Sequence, residues 1–135
     1  MSEGCLCEPN EILIFSCAGG SNVGQIANQA AIRLAQDGVG RYFCLAGIGG
    51  HVSGMTESTK AGKMLVAIDG CPVACAKKTL EHAGFQIDEY VQTTDLGIEK
   101  NHEFSLDPAD VGKVSDHIAS FVSKRRGAHQ HPGDL

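Results

Sequence analysis

The chain has 135 residues, a formal net charge of −5, 42% hydrophobic residues and 17 glycines, which suits a single domain with its own hydrophobic core. The acidic balance argues against a nucleic-acid partner, because the only dense basic run is Lys124, Arg125 and Arg126. The longest apolar stretches, such as Ile12 to Phe15 and Met64 to Ile68, are far too short to cross a bilayer.

The first residues show no basic region followed by an apolar one, so the expectation is a cytoplasmic protein with reduced thiols. In that setting the six cysteines point to metal binding or catalysis rather than to disulfides.

Residues 1–10 are polar, carry Cys5 and Cys7, and read as a flexible arm before a domain spanning 11–126. Ile12 to Phe15 is a continuous apolar run, the pattern of a strand covered on both faces. A turn follows through Cys17, Gly19 and Gly20. From Ser21 or Asn22, the residues Val23, Ile26, Ala27, Ala30, Ala31 and Leu34 recur at helical spacing, and Gly38 stands where a terminating glycine belongs.

Arg41 to Ala46 reads as a second strand, then come a Gly-Gly-His loop, a short helix near Ser53 to Ala61 and a third strand from Lys63 to Asp69. Cys71 takes an N-cap-like position with Pro72 at the first helical residue, and that helix stops at Gly84. Asp88 to Thr93 gives a fourth strand. Asp107 and Pro108 open a last helix with an apolar stripe at Val111, Val114, Ile118 and Val122, and residues 127–135 read as a disordered tail. The alternation predicts a single-domain α/β fold: a three-layer, doubly wound, mainly parallel sheet of about four strands, Rossmann-like or flavodoxin-like.

Such a fold brings the C-terminal ends of its strands to one edge, where sites are built. Cys17, Cys44 and Cys71 each end a predicted strand, and Cys75 follows Cys71 by four residues, one helical turn. On a helix those two thiols lie on one face, close enough to share a tetrahedral zinc with sulfur at about 2.3 Å. A helix N-terminus also favours the thiolates that a metal needs. Each cysteine taken singly reads first as a small buried hydrophobe, with Cys44 after Tyr42 and Phe43 the strongest case, and it is the four strand-end cysteines together that favour a shared site.

The glycines at 19, 20 and 24 do not match a dinucleotide or P-loop spacing, and read instead as allowing close backbone approach to the thiols. No arginine stands where a cysteine phosphatase loop needs one: Val23 and Lys77 occupy those positions. His51 is the one histidine expected near the strand ends, as a possible ligand or a solvated loop residue. Asp69 reads as either an orienting acid behind the ligands or a cap.

The tripeptide Asp69-Gly70-Cys71 with Cys75, the segment from Ser16 to Gly24 and the intervening Cys44 together resemble the DGC domain family of small prokaryotic proteins. The resemblance covers roughly Ile12 to Phe121 and implies zinc as cofactor, with Cys17, Cys44, Cys71 and Cys75 as ligands; it supplies no reaction. Iron–sulfur is the rival cofactor. The expected function is zinc binding at the sheet edge, the alternatives being a metal-free thiol enzyme or carrier for redox or sulfur transfer, and a small-molecule sensor or interaction module.

Overall fold

A computed structural model describes residues 11–129, with side chains to residue 125. Its strands are β1 (Ile12–Ser16), β2 (Arg41–Tyr42), β3 (Met64–Asp69) and β4 (Glu89–Gln92), all parallel in the order β2-β1-β3-β4. Between and after them lie α1 (Asn22–Gln36), α2 (Leu45–Gly49), α3 (Ser53–Lys60), α4 (Cys75–His82), a 3-10 turn (Thr93–Leu96) and α5 (Pro108–His129).

β1 and β3 are buried along their whole lengths, as central strands covered on both faces must be. Their side chains alternate between two cores. Ile12, Ile14, Met64, Val66 and Ile68 meet the apolar faces of α1 and α5, including Ile26, Leu34, Val114 and Ile118. Leu13, Phe15, Leu65 and Ala67 meet Phe43, Ile48 and Leu80 on the opposite face, where the Phe15 and Phe43 rings stack edge to face with centroids 5.9 Å apart. The three layers and the single parallel sheet are those expected. Among the described residues no helix is long and apolar enough to cross a membrane.

The structure departs from the sequence reading in two connections. The second strand stops at Tyr42, and Cys44 is the exposed N-cap of α2 rather than a buried strand end. Phe43 turns into the core against Phe15, and the following Leu-Ala-Gly-Ile-Gly coils so that Ile48 is buried too. The same apolar residues are thus buried by a short helix instead of a strand.

The fourth helix begins at Cys75, not at Pro72. Residues 71–74 form a tight turn, closed by the Ala74 N–H donating to the Cys71 carbonyl at 3.0 Å, with Pro72 in the second position that favours it. Ala74 adopts a left-handed conformation, φ 57°, which no helix can continue through. Cys71 and Cys75 therefore flank a turn instead of sharing a helix face. α5 also extends through His129, past the start of the expected tail; residues 130–135, like the arm at 1–10, lie outside the described residues.

Gly70 presses the end of β3 against the first turn of α1: a Cβ there would lie 2.7 Å from the Gly24 nitrogen and 2.8 Å from the Val23 carbonyl carbon. Gly70→Ala should therefore destabilise the fold by about 1–3 kcal/mol. Gly20→Ala, where a Cβ meets nothing within 4 Å, should stay within about 0.5 kcal/mol of the parent. Urea unfolding midpoints check both, and equal effects at the two positions would contradict the packing described.

Candidate thiol site

In the order β2-β1-β3-β4, β1 leads into α1 on one face of the sheet, and β3 leads toward α4 on the other. The two strands are neighbours, with Ser16 opposite Ile68, and the C-terminal edge between them is where a fold of this topology has its crevice. Cys17 and Cys71 lie just past the two strand ends, and both pack against the core on the α1 face.

Cys17 extends the ladder by one residue, its N–H donating to the Ile68 carbonyl at 2.9 Å. Its Sγ accepts the Gly19 N–H at 3.2 Å, and Gly19 has no Cβ because one would lie 3.3 Å from that sulfur. The expectation that the glycine turn lets backbone approach a thiol is met here. Burial pushes the Cys17 thiol pKa up, the Gly19 N–H opposes this, and Asp69 and Cys75 add negative fields that raise it further. Cys17 is thus half-buried within electrostatic reach of Cys75.

Cys71 is half-buried, and the Lys100 ammonium lies 3.5 Å from its sulfur. The backbone beside Lys100 is fixed from a distance. Buried Asn22 donates its N–H to the Asn101 carbonyl (3.0 Å) and its side-chain amide to the Glu99 carbonyl (2.8 Å), and accepts the Asn101 N–H (2.6 Å). Cys75, the first residue of α4, is exposed. Cys44 is exposed near the end of β2, and its field, with that of Cys17, reaches Tyr42. The Tyr42 hydroxyl donates to Asn28 Oδ1 at 2.6 Å and accepts from Ser16 Oγ at 2.5 Å.

Asp69 is a cap. It is 1% exposed, and its Oδ1 accepts the Ala76 N–H at 2.7 Å while its Oδ2 accepts the Lys77 N–H at 3.0 Å and the Tyr90 hydroxyl at 2.9 Å. Both oxygens are committed to the start of α4 and to β4. His51 is placed elsewhere: its ring lies 6.1 Å from that of His82, the last residue of α4, roughly 10 Å along the helix from Cys75.

Of the six residues singled out, the fold sets Cys17 and Cys71 just past two neighbouring strand ends with Cys75 after the turn, leaves Cys44 exposed at the start of α2, binds Asp69 into the scaffold and places His51 beside His82. Cys5 and Cys7 lie outside the described residues. Among the described residues no three His, Cys, Asp or Glu side chains stand close enough together to hold a metal ion. The sequence reading missed Lys100, Tyr90 and the clamp at Asn22. Only Asn22 had left a signal, as a candidate helix cap.

Both tyrosines of the chain have raised pKa values. For Tyr42 burial is the leading cause; for Tyr90 burial leads, and the hydrogen bond to Asp69 and its charge add to it. A folded pKa above the unfolded value near 10 means that each hydroxyl stabilises the fold fully below about pH 10 and loses that contribution as pH rises through the folded value. An absorbance titration at alkaline pH should show neither tyrosine half-ionised at about pH 10 in the native protein, and both so in denaturant. A native protein ionising one of them at about pH 10 would contradict this environment.

The DGC domain family matches residues 13–118 of the chain. A protein of Pseudomonas aeruginosa described as anaerobic and virulence modulator AnvM is 29% identical over 102 residues, covering 76% of this chain and 78% of that protein. No solved structure matches at a significant level. With the family pattern extending from β1 into α5, the chain belongs to the DGC domain family.

Proposed function

We propose that this domain binds one soft divalent metal ion, zinc, at the crevice between β1 and β3, through Cys17, Cys71 and Cys75, with Cys44 as a rim ligand. The observation that carries the reading is that Cys17 and the Cys71–Cys75 turn follow the ends of two neighbouring strands, with Cys75 within electrostatic reach of Cys17. The donor set is of the right type: thiolates suit zinc, and four of them satisfy its tetrahedral preference. Burial and neighbouring negative charge hold the Cys17 thiol protonated, and a cation relieves that penalty because metal binding removes the proton.

The described thiols do not stand in a closed ligand shell. Cys44 and Cys75 are exposed, so their side chains are accessible to an incoming ion. Asp69 holds no ion in this reading, since both its oxygens are already used by the N–H groups of α4 and the Tyr90 hydroxyl. The Pseudomonas aeruginosa relative is described as an anaerobic and virulence modulator, which suits a site that binds and senses.

A second reading is a metal-free reactive thiol for redox or sulfur transfer. Its support is the Lys100 ammonium, a hydrogen-bond donor 3.5 Å from the half-buried Cys71 sulfur. Elemental analysis of protein purified without chelator distinguishes the two. About one zinc per chain is expected, with most of it lost in Cys17→Ser, Cys71→Ser and Cys75→Ser, and kept in Cys5→Ser and Cys7→Ser. Iron with a brown colour would favour a cluster. Absence of zinc and iron with every thiol titrating freely would leave the second reading.

A further inference from the structure

The far end of α1 carries a feature that the thiol site does not use. Between α1 and α5 lies a cavity of about 340 Å³, at the lower end of the size range of small-molecule sites, lined by Gln29, Ile32, Arg33, Gln36, Leu106 and Val111. Gln29, Arg33 and Gln36 recur at helical spacing on α1, so two amides flank one guanidinium on one face. Ile32, Leu106 and Val111 add an apolar wall.

Among the described residues the guanidinium has no carboxylate partner: the ion pairs there join Arg41 to Glu11 and Lys60 to Glu57. Two acids stand at the start of α5: Asp107 is engaged, its Oδ1 accepting the Ala109 N–H at 2.9 Å, and Asp110 in the first turn forms no ion pair with Arg33. Arg33 is half-buried, and its place is kept open by Gly112 inside α5. A Cβ on Gly112 would lie 3.0 Å from Arg33 Nη1. A glycine inside a helix weakens it relative to alanine, and at this position it leaves room beside the guanidinium.

We infer that this cavity binds a small organic carboxylate with an apolar tail, its carboxylate on Arg33 and its tail against Ile32, Leu106 and Val111. Guanidinium pairs with a planar carboxylate through parallel hydrogen bonds, the flanking amides supply further donors, and a single cation matches a single negative charge. The site is separate from the cysteines: Arg33 lies in the last turn of α1, eleven residues and roughly 16 Å along the helix axis from Asn22 beside the crevice.

Octanoate serves as the probe and octan-1-ol, which has the same tail without the charge, as its control, read by amide NMR shifts and calorimetry on the full chain. Octanoate should bind saturably, shift amides of residues 29–36 and 108–112, and bind roughly tenfold or more tightly than the alcohol. Arg33→Gln should reduce octanoate to the alcohol's affinity, whereas Cys17→Ser should leave it unchanged. Equal binding of the two probes, no shifts at these residues at millimolar probe, or full octanoate affinity in Arg33→Gln would overturn the inference. Should that variant fail to fold, the comparison of the two probes on the unaltered protein decides alone. Loss of zinc binding in the elemental analysis would leave this site untouched, so the two claims fail independently.

Discussion

One buried carboxylate holds the business edge of this fold together. Asp69 ends the central strand β3, is 1% exposed, and accepts hydrogen bonds from two N–H groups of α4 and from the Tyr90 hydroxyl on β4. Its own carbonyl accepts the Thr93 hydroxyl. A buried charge is tolerable only when its acceptor capacity is used, and here the carboxylate's partners come from two successive elements, α4 and β4. Because the carboxylate caps α4 across the 71–74 turn, that turn is held at both ends. The positions of Cys71 and Cys75 follow from it.

On the other side of the crevice the constraint is steric. Gly24 packs on Gly19, where an added Cβ would come within 2.9 Å of the Gly19 nitrogen, and Gly70 packs on Gly24 in turn. Backbone is thereby stacked on backbone, and the Cys17 sulfur receives the Gly19 N–H. Asn22 then uses its backbone and its amide to bolt residues 99–101 to the start of α1, which brings Lys100 over Cys71. Charge on one side and close packing on the other leave three thiols around one opening, with an ammonium beside one of them.

Much of this was legible in the chain. The apolar runs of β1 and β3, the helical spacing of Val23 to Leu34 and the terminating glycines announce a layered parallel fold; Gly38 and Gly84 do adopt positive φ values, 76° and 89°. What was not legible depends on distant partners. Cys71-Pro72 has the local look of a helix start, yet the cap comes from Asp69 and the helix waits until Cys75. Tyr42-Phe43-Cys44 has the composition of a strand, but burying Phe43 and Ile48 on the same face turns the chain into α2 and leaves Cys44 exposed. Lys100 reaches Cys71 from 29 positions away, and no local pattern marks it.

Two kinds of residue that the sequence groups together part company in the fold: thiols at the sheet edge, and an acid that builds that edge. X-ray absorption at the zinc edge of metal-loaded protein tests that separation most directly. The account predicts a first shell dominated by sulfur at about 2.3 Å, unchanged in Asp69→Asn provided the variant folds. A shell rich in oxygen or nitrogen in the parent protein would contradict it, because the ion would then be held by groups that the fold has already committed elsewhere.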